Sequence, residues 1–309
     1  MQVLKDPASY QHPSPLHLAI GMFDGVHIGH QAVIQSAIRS ARIKGEMAGV
    51  LTFTPHPSQI LRPSSPTLLI QSEEQKEERL ASQGLDLLIW QSFSLELASV
   101  KAAEFIHRLK TRFPRLASIH VGENFRFGKG RNGDIETMLE AARELGIHVI
   151  SIERVRYDGE AVSSTRIRKL LEEGRMGEVN ELLGYPYYST GTVEHGRQLG
   201  RSIGFPTLNI RWEPPCKPRL GVYEVRVGSI KGDATSLPAV ANYGLRPTVE
   251  NAAPFPLLEI HILGECPFDA GDELRVEWLR FVRPEMKFDN LNALKAQIEQ
   301  DKRQLLTVR

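Results

Sequence analysis

Short apolar runs in the first half of the chain alternate with stretches in which apolar residues recur at helical spacing. The apolar runs predict strands over residues 16–20, 47–53, 85–89, 118–121 and 147–152. The helical spacing predicts helices over residues 31–44, from a cap at Ser99 through residue 109, and from Asp134 to near Gly146. This alternation is typical of a parallel sheet with helices on both faces, and it predicts an α/β, Rossmann-like domain.

A further helix is predicted over residues 163–174. Ser164 and Thr165 at its start can act as simple helix caps or as ligands of an anion, and the hydroxyl groups alone leave both interpretations open. Arg166 and Arg168 favour the anion, because a positive side chain beside the positive end of a helix dipole is unfavourable without one.

The pattern changes after Tyr185. Short strand-type segments follow one another with Gly, Pro and Asp between them and no long helix, at residues 190–193, 222–227, 238–241, 257–263 and 274–281. Such a series predicts an antiparallel β-barrel or sandwich. Residues 290–306 repeat apolar positions at helical spacing, which predicts a C-terminal helix packed on the barrel. We therefore expect two domains, residues 1–184 and residues 185–309.

Composition and charge narrow the class of protein. The chain has 309 residues, of which 41% are hydrophobic and 24% are charged, so we expect a soluble globular protein. The net charge of +1 gives no bulk electrostatic reason to bind nucleic acid or an anionic membrane, and neither partner is expected. Two distant cysteines, no apolar signal core near the N-terminus and no apolar run of membrane length predict a cytoplasmic protein. The sequence is also compatible with transient self-association of the protein.

The strongest chemical signal is residues 21–30, Gly-Met-Phe-Asp-Gly-Val-His-Ile-Gly-His, between a predicted strand and a helical pattern. Backbone N–H groups at a helix start attract anions, and glycines let the backbone approach a ligand closely. His27 and His30 can donate hydrogen bonds to phosphate oxygens. The pair alone also fits zinc or two solvated loop residues, but no third His or Cys lies nearby at ligand spacing. A nucleoside triphosphate is the favoured ligand, although the loop Gly-x-x-x-x-Gly-Lys-Ser/Thr is absent.

Two features of the second half indicate phosphate and proton chemistry. Residues 195–209 form a glycine-dense loop in which Thr207 and Asn209 offer oxygen ligands suited to Mg²⁺, with a plain surface loop as the alternative. In a later strand, alternation puts Glu259 and His261 on one face and leucine and isoleucine residues on the other. A carboxylate among apolar residues has a raised pKa and suits general-base catalysis, whereas a solvated glutamate on the outer face is the plainer alternative.

With these motifs in order, the chain resembles the prokaryotic bifunctional riboflavin kinases/FAD synthetases over nearly its whole length. The motifs that carry the resemblance are GMFDGVHIGH (21–30), LTFTPHP (51–57), VGENFRFGKGRNGD (121–134), VSSTRIR (162–168), GRSIGFPTLN (200–209), ANYGLRPT (241–248), LEIHIL (258–263) and RPEMKF (283–288). The resemblance implies a Rossmann-like nucleotidyltransferase domain that adenylylates FMN with ATP, giving FAD and pyrophosphate. It also implies a C-terminal flavokinase barrel that phosphorylates riboflavin with ATP.

The resemblance further implies roles for individual residues. In the adenylylation site, His27 and His30 would be catalytic and hold the ATP phosphates. The residues that would bind the nucleotide and flavin there are Gly21, Phe23, Asp24, Gly25, Gly29, Asn124, Ser164, Thr165 and Arg168. In the kinase site, Glu259 would be the base for the ribityl hydroxyl, and Thr207 and Asn209 would coordinate Mg²⁺. The residues that would bind the cosubstrates of the kinase are Gly200, Gly204, Pro206 and Asn242.

The chain departs from the family pattern in the barrel. Leu208 replaces the alanine of the usual Pro-Thr-Ala-Asn motif, and residues 264–272 differ from the usual segment after LEIHIL. A second hypothesis is therefore an FMN adenylyltransferase with a kinase-inactive, flavin-binding barrel. A third is a non-catalytic flavin-binding or regulatory protein, and a fourth is an adenylyltransferase for a different substrate such as a pantetheine or nicotinamide phosphate.

Overall fold

A computed structural model describes residues 1–5, 10, 12–195, 204–231, 236–246 and 255–306. The chain falls into two compact units, Met1–Ser164 and Thr165–Arg309. The domain boundary at residue 184 stays a prediction. Within the described part of the chain, no helix is both long enough and apolar enough to cross a membrane.

The first unit is built on a parallel sheet of six strands. They are β1 (Gln2–Leu4), β2 (Leu16–Ile20), β3 (Met47–Thr54), β4 (Leu87–Ser92), β5 (Leu116–Gly122) and β6 (His148–Ile152), in the order β1-β4-β3-β2-β5-β6. The helices are α1 (Ile28–Lys44), α2 (Pro57–Leu61), α3 (Glu73–Ala81), α4 (Leu95–Ser99), α5 (Ala102–Arg112) and α6 (Ile135–Glu144). A hairpin of β7 (Arg156–Tyr157) and β8 (Glu160–Ala161) follows. The predicted α/β architecture is confirmed.

Each face of this sheet buries its own apolar cluster. On one face the strands pack against α1 and α3, which contribute Ile34 and Leu80. On the other face they pack against α5 and α6, which contribute Ile106 and Met138. Helices therefore cover both faces, which is the reason the strands show continuous apolar runs instead of alternation.

The helix predicted from Ser99 begins three residues later, and the predicted cap is wrong. Ser99 ends the short helix α4, where its Oγ donates a hydrogen bond to Glu96 O at 2.7 Å. Lys101 precedes α5 and makes no capping hydrogen bond with its side chain. A serine hydroxyl can bond to a preceding carbonyl as readily as it caps a following helix, and the sequence alone does not separate the two.

A chain of hydrogen bonds links buried polar side chains between α1 and the sheet. His17 Nε2 lies 2.6 Å from Glu46 Oε2, and His17 Nδ1 lies 2.6 Å from Ser118 Oγ. His120 continues the chain, with Nε2 2.8 Å from Ser118 Oγ and Nδ1 2.9 Å from Ser36 Oγ. An ionised carboxylate only accepts, so all four bonds are satisfied when both neutral rings donate from Nε2 and accept at Nδ1. Burial lowers the pKa of His120 to about 4, which favours this neutral arrangement.

The second unit is a closed antiparallel barrel preceded by two helices. Its strands are β9 (Tyr187–Glu194), β10 (Leu208–Arg211), β11 (Gly221–Ser229), β12 (Leu237–Arg246), β13 (Phe255–Ile262) and β14 (Glu273–Arg283), in the order β10-β13-β12-β11-β14-β9. The helices are α7 (Ser164–Glu173), α8 (Met176–Leu183) and α9 (Leu291–Leu306). Of the two predicted architectures, barrel and sandwich, the barrel is confirmed.

Aromatic side chains fill the barrel, and α8 is attached to it. Trp278, Tyr223 and Tyr243 are fully buried, with the rings of Tyr223 and Tyr243 centred 4.7 Å and 5.6 Å from that of Trp278. Asn180 of α8 donates to Trp278 O and accepts from the backbone N–H of Tyr187, both at 2.8 Å. A helix that precedes residue 184 therefore packs on the strands of the barrel.

Candidate functional site

The loop that follows β2 lies at the switch point of the parallel sheet. β2 pairs with β3 on one side and with β5 on the other, so the strand order reverses direction there. Ligands of open α/β sheets bind at such a point, beyond the carboxyl ends of the strands. Residues 21–27 leave the end of β2, and the exposed Asn124 follows the end of β5. The topology therefore places these two groups of predicted nucleotide-binding residues at the same edge of the sheet.

Side chains from several elements hold the carbonyl groups of the loop after β2. The bonds are Thr52 Oγ1 to Met22 O at 3.1 Å, Gln71 Nε2 to Phe23 O at 3.3 Å, Ser164 Oγ to Asp24 O at 2.9 Å and Gln31 Nε2 to Val26 O at 2.9 Å. The C=O and N–H of one trans peptide point in opposite directions, so anchoring these carbonyls turns the following N–H groups the other way. Phe23 and Val26 also have φ values of 49° and 35°, which non-glycine residues rarely adopt. The anchors thus hold a strained turn whose amides suit an anion.

His27 and His30 form a stacked pair at the start of α1. Their ring centroids are 3.5 Å apart, and His27 Nδ1 accepts a hydrogen bond from the backbone N–H of His30 at 3.2 Å. Because Nδ1 accepts, the neutral ring of His27 carries its proton on Nε2, which can donate to a ligand. Burial lowers the pKa of His27 to about 4. Burial first, then repulsion from a protonated His27 and from Lys76, holds the pKa of His30 well below its ordinary value. Both rings are therefore neutral near pH 7.

The structure explains why glycine occupies three positions of this loop. A Cβ at Gly29 would lie 3.2 Å from Cε1 and Nδ1 of His27, so the ring would have to shift by a few tenths of an ångström to make room for it. Gly25 has a φ of 83°, which favours glycine. A Cβ at Gly21 would approach the ring of Phe23 to 3.0 Å. Each predicted glycine thus keeps either the backbone or a neighbouring ring in place.

The other predicted residues of the adenylylation site are divided between the two units. Asp24 is 4% exposed, and its Oδ1 accepts from the backbone N–H of Ile70 at 2.9 Å, so this oxygen braces the loop. Ser164 shares that loop through the bond to Asp24 O. Thr165 and Arg168 belong to the second unit, in the first turns of α7, where Arg168 Nη2 donates to Thr165 Oγ1 at 3.3 Å.

We expect the first unit to lose stability as the pH falls from about 6.5 to about 4. His27 and His120 titrate near pH 6.5 in an unfolded chain but near 4 in the fold, so between these values the unfolded chain binds more protons. Each histidine then removes about 3 kcal/mol from the free energy of unfolding. Hydrogen exchange resolved to peptides from β2 and β5, measured at about pH 7 and about pH 5, detects this loss.

Two variants separate this effect from general acid sensitivity. His120→Gln removes one titrating group and should weaken the pH dependence, although it also lowers stability at pH 7. His148→Gln changes a histidine that is exposed, and the pH dependence should stay as it is. An unchanged pH dependence in His120→Gln would contradict the assignment.

In the barrel, three predicted kinase residues lie side by side across three strands. Glu259 of β13 is paired in register with Asn209 of β10 on one side and with Asn242 of β12 on the other. Leu258 and Ile260 are fully buried, so the apolar face of β13 is the barrel interior and Glu259 lies on the outer face. Residues directly opposite one another have Cβ atoms about 5 Å apart. Glu259 and the two amides therefore share a single patch, and Asn209 within it is 8% exposed.

Thr207 and Asn209 have the chemistry of a Mg²⁺ site. Thr207 is exposed and directly precedes β10, two residues before Asn209. A hydroxyl and an amide oxygen are hard donors, which Mg²⁺ prefers, and it commonly keeps several waters and substrate phosphates as its other ligands. These residues fit Mg²⁺. Among the described residues, no group of three His, Cys, Asp or Glu side chains could hold a metal ion.

His261 holds the segment that leads into β10. Its Nδ1 lies 3.0 Å from Pro206 O, and since a carbonyl only accepts, Nδ1 is the donor. The ring of Phe205 packs edge-on against His261, with centroids 5.3 Å apart. Gly204 has a φ of 87° and begins this segment. Gly200, another predicted ligand of the kinase site, lies outside the described residues.

The motif RPEMKF, to which the sequence assigns no role, connects the patch to the C-terminal helix. Asn242 Nδ2 donates to Glu285 Oε1 at 3.4 Å. Arg283 binds Asp301 of α9, with Nη2 2.8 Å from Oδ2, and only 4% of the Asp301 side chain is exposed. This ion pair fixes α9 to the end of β14, which confirms that the predicted C-terminal helix packs on the barrel.

Comparisons with known proteins identify the family of each half of the chain. The family model described as FAD synthetase matches residues 9–166, and the one described as riboflavin kinase matches residues 183–308. The bifunctional riboflavin kinase/FMN adenylyltransferase of Escherichia coli strain K12 is 35% identical over 284 residues, which cover 92% of this chain and 90% of that protein. That of Bacillus subtilis strain 168 is 33% identical over 292 residues, covering 94% and 91%.

A solved structure is also similar over nearly the full length. It is titled as a macrolide-efflux protein from Streptococcus pneumoniae, and it has a TM-score of 0.88 at 29% identity. The match covers 98% of this chain and 97% of that one.

Proposed function

This chain belongs to the family of bifunctional riboflavin kinase/FMN adenylyltransferases, and from that membership we propose which residues carry each of its two reactions. The protein phosphorylates riboflavin with ATP to give FMN, and it adenylylates FMN with ATP to give FAD and pyrophosphate. We assign adenylylation to residues 1–184 and phosphorylation to residues 185–309.

Adenylylation is assigned to the loop after β2 and the histidine pair. An FMN phosphate oxygen forms a bond to the α-phosphorus of ATP while the bond to the bridging oxygen breaks, and pyrophosphate leaves with the electron pair. No covalent nucleophile of the protein is needed, so catalysis rests on positioning and charge stabilisation. The anchored loop supplies amide donors, and His27 supplies a further donor at Nε2. Asn124, Ser164, Thr165 and Arg168 are assigned to the same site.

Phosphorylation is assigned to the outer patch of the barrel. The ribityl hydroxyl oxygen of riboflavin forms a bond to the γ-phosphorus of ATP, ADP leaves, and Glu259 accepts the hydroxyl proton. Its position in register between Asn209 and Asn242 carries this assignment, because two amides beside the carboxylate can orient substrate and base together. Thr207 and Asn209 would hold Mg²⁺, which would supply positive charge to neutralise the phosphates.

Substitution of a metal ligand tests the kinase site. We expect Asn209→Ala to raise the Mg²⁺ concentration for half-maximal riboflavin phosphorylation about tenfold or more, since loss of a ligand group weakens metal affinity. The Mg²⁺ dependence of FAD formation from supplied FMN should not change. Asn292→Ala, on the exposed surface of α9, is the matched control. A folded Asn209→Ala protein with an unchanged Mg²⁺ requirement counts against the assignment.

We also propose that the protein acts in the cytoplasm on small-molecule flavins and ATP. The near-neutral net charge of +1 supports the absence of a nucleic-acid or membrane-surface partner. The matches to FAD synthetase and riboflavin kinase support flavins and ATP as its substrates.

A further inference from the structure

Lys76 is buried beside the loop after β2. It belongs to α3, a helix of mostly charged residues, yet it is only 5% exposed. Its Nζ donates to Met22 O at 3.1 Å and lies 5.2 Å from the centroid of the Trp90 ring. Across the described residues it forms no ion pair with a carboxylate. A buried ammonium group without an ion pair is costly, so its position indicates a function.

The charge of Lys76 acts on the histidine pair. It is one of the causes that hold the pKa of His30 low, after burial and His27. Burial lowers the pKa of Lys76 itself, and the negative charges of Asp24 and Glu73 oppose that shift. The ammonium form of Lys76 adds positive charge to a site whose imidazoles are both neutral. A triphosphate at these imidazoles meets hydrogen-bond donors but no charge from them, and Lys76 supplies a positive charge nearby.

Lys76 also helps to determine the shape of the loop. Met22 O accepts hydrogen bonds from two side chains, Thr52 and Lys76, each at 3.1 Å. This carbonyl belongs to the peptide that precedes Phe23, whose φ of 49° is strained. Thr52 is neutral, so the two donors differ in charge while sharing one acceptor. They therefore form a natural pair for experiment.

We propose that Lys76 is a positioning residue for adenylyl transfer, which fixes the loop through Met22 O and provides a positive charge near His27 and His30. The inference rests on the proposed adenylylation site. It adds Lys76 of α3 to the residues of the proposed site. Lys76 acts on the reaction indirectly, through the loop after β2 and the histidine pair.

The test compares Lys76→Met with Thr52→Val. In Lys76→Met we expect kcat for FAD formation to fall about ten- to a hundredfold with little change in the KM for FMN. The acid limb of the pH profile should move to higher pH, because His30 loses a neighbouring like charge. Thr52→Val removes the other donor and keeps the charge, so its kcat should fall less and its acid limb should stay in place. Riboflavin phosphorylation by the same protein should be unchanged in both variants.

A second variant covers the case in which Lys76→Met does not fold. Lys76→Gln keeps a donor near Met22 O without the charge, and it should show the same shift of the acid limb. In either lysine variant, a normal kcat for FAD formation with an unshifted acid limb of the pH profile overturns the proposal. A lower kcat with an unshifted acid limb also overturns it, because that result marks a purely structural role. If His30→Ala leaves FAD formation intact, the proposed site itself is wrong. If His30→Ala abolishes it and the lysine variants do not alter it, this inference alone fails.

Discussion

The His30→Ala variant is expected to make FMN from riboflavin at the normal rate and to make almost no FAD. The substitution removes one hydrogen-bond donor of the stacked pair. It also removes the ring that packs on His27, whose centroid lies 3.5 Å from that of His27. Loss of one preorganised donor to a developing charge costs about 10²–10³-fold in rate, and loss of the support adds to that. Chromatography of the products after incubation with riboflavin, ATP and Mg²⁺ measures both reactions in one sample.

The control for this variant is His107→Ala. His107 is exposed on α5, so its removal should leave FMN and FAD formation as they are. Equal loss of both activities in a folded His30→Ala protein would mean that the two reactions do not use separate sites.

The opposite pattern is expected for Glu259→Gln. The substitution keeps the shape of the side chain and removes the proton acceptor, so riboflavin phosphorylation should fall by about 10²–10⁴-fold. FAD formation from supplied FMN should be nearly unchanged, because its site is assigned to the other domain. Separate assays with riboflavin and with FMN give the two rates.

Other carboxylates provide the comparison for Glu259. Glu194 is paired in register with Asn209 on its other side and is exposed, and Glu265 is exposed in the segment after β13. Glu250 lies outside the described residues. If the Glu259→Gln protein keeps most of its kinase activity while one of these glutamate-to-glutamine variants loses it, Glu259 is not the base.

The sequence predicts best where apolar periodicity and a special backbone position coincide. The strand β2, the loop after it and the start of α1 follow from one apolar run, three glycines and two histidines. In the barrel, the alternation around Glu259 correctly separates Leu258 and Ile260 from the polar face. Register between distant strands is not visible in either pattern, so the sequence does not show that Glu259 lies between two asparagines.

The sequence gives the least information about the helix α3 and the contacts that its residues make. This helix reads Glu-Glu-Gln-Lys-Glu-Glu-Arg-Leu-Ala and lacks an apolar stripe, so periodicity does not reveal it. Its one local signal is a capping box formed by Ser72 and Gln75. Gln71 and Lys76, which hold carbonyls of the loop after β2, therefore have no signature in the sequence. Their contacts arise only when the chain folds.

The departures from the family pattern lie apart from the polar patch. Leu208 is buried and paired in register with Ile260, so the larger side chain belongs to the barrel interior and not to the face that carries Asn209. Residues 264–272 follow the end of β13, where Gly271 N–H donates to Val193 O at 2.9 Å. Neither change removes a member of the patch, which agrees with the kinase activity of the family.

The pairing of Glu259 with its two asparagines makes the function of β13 depend on an unchanged register. Side chains alternate between faces, so one residue added or deleted inside Phe255–Ile262 would turn leucine and isoleucine outward and bury the carboxylate. The same change after Ile262 would only lengthen or shorten a connection. The segment after this strand can therefore change, and residues 264–272 do differ from the family pattern. Inside the strand, only substitutions keep the alternation of side chains between the two faces.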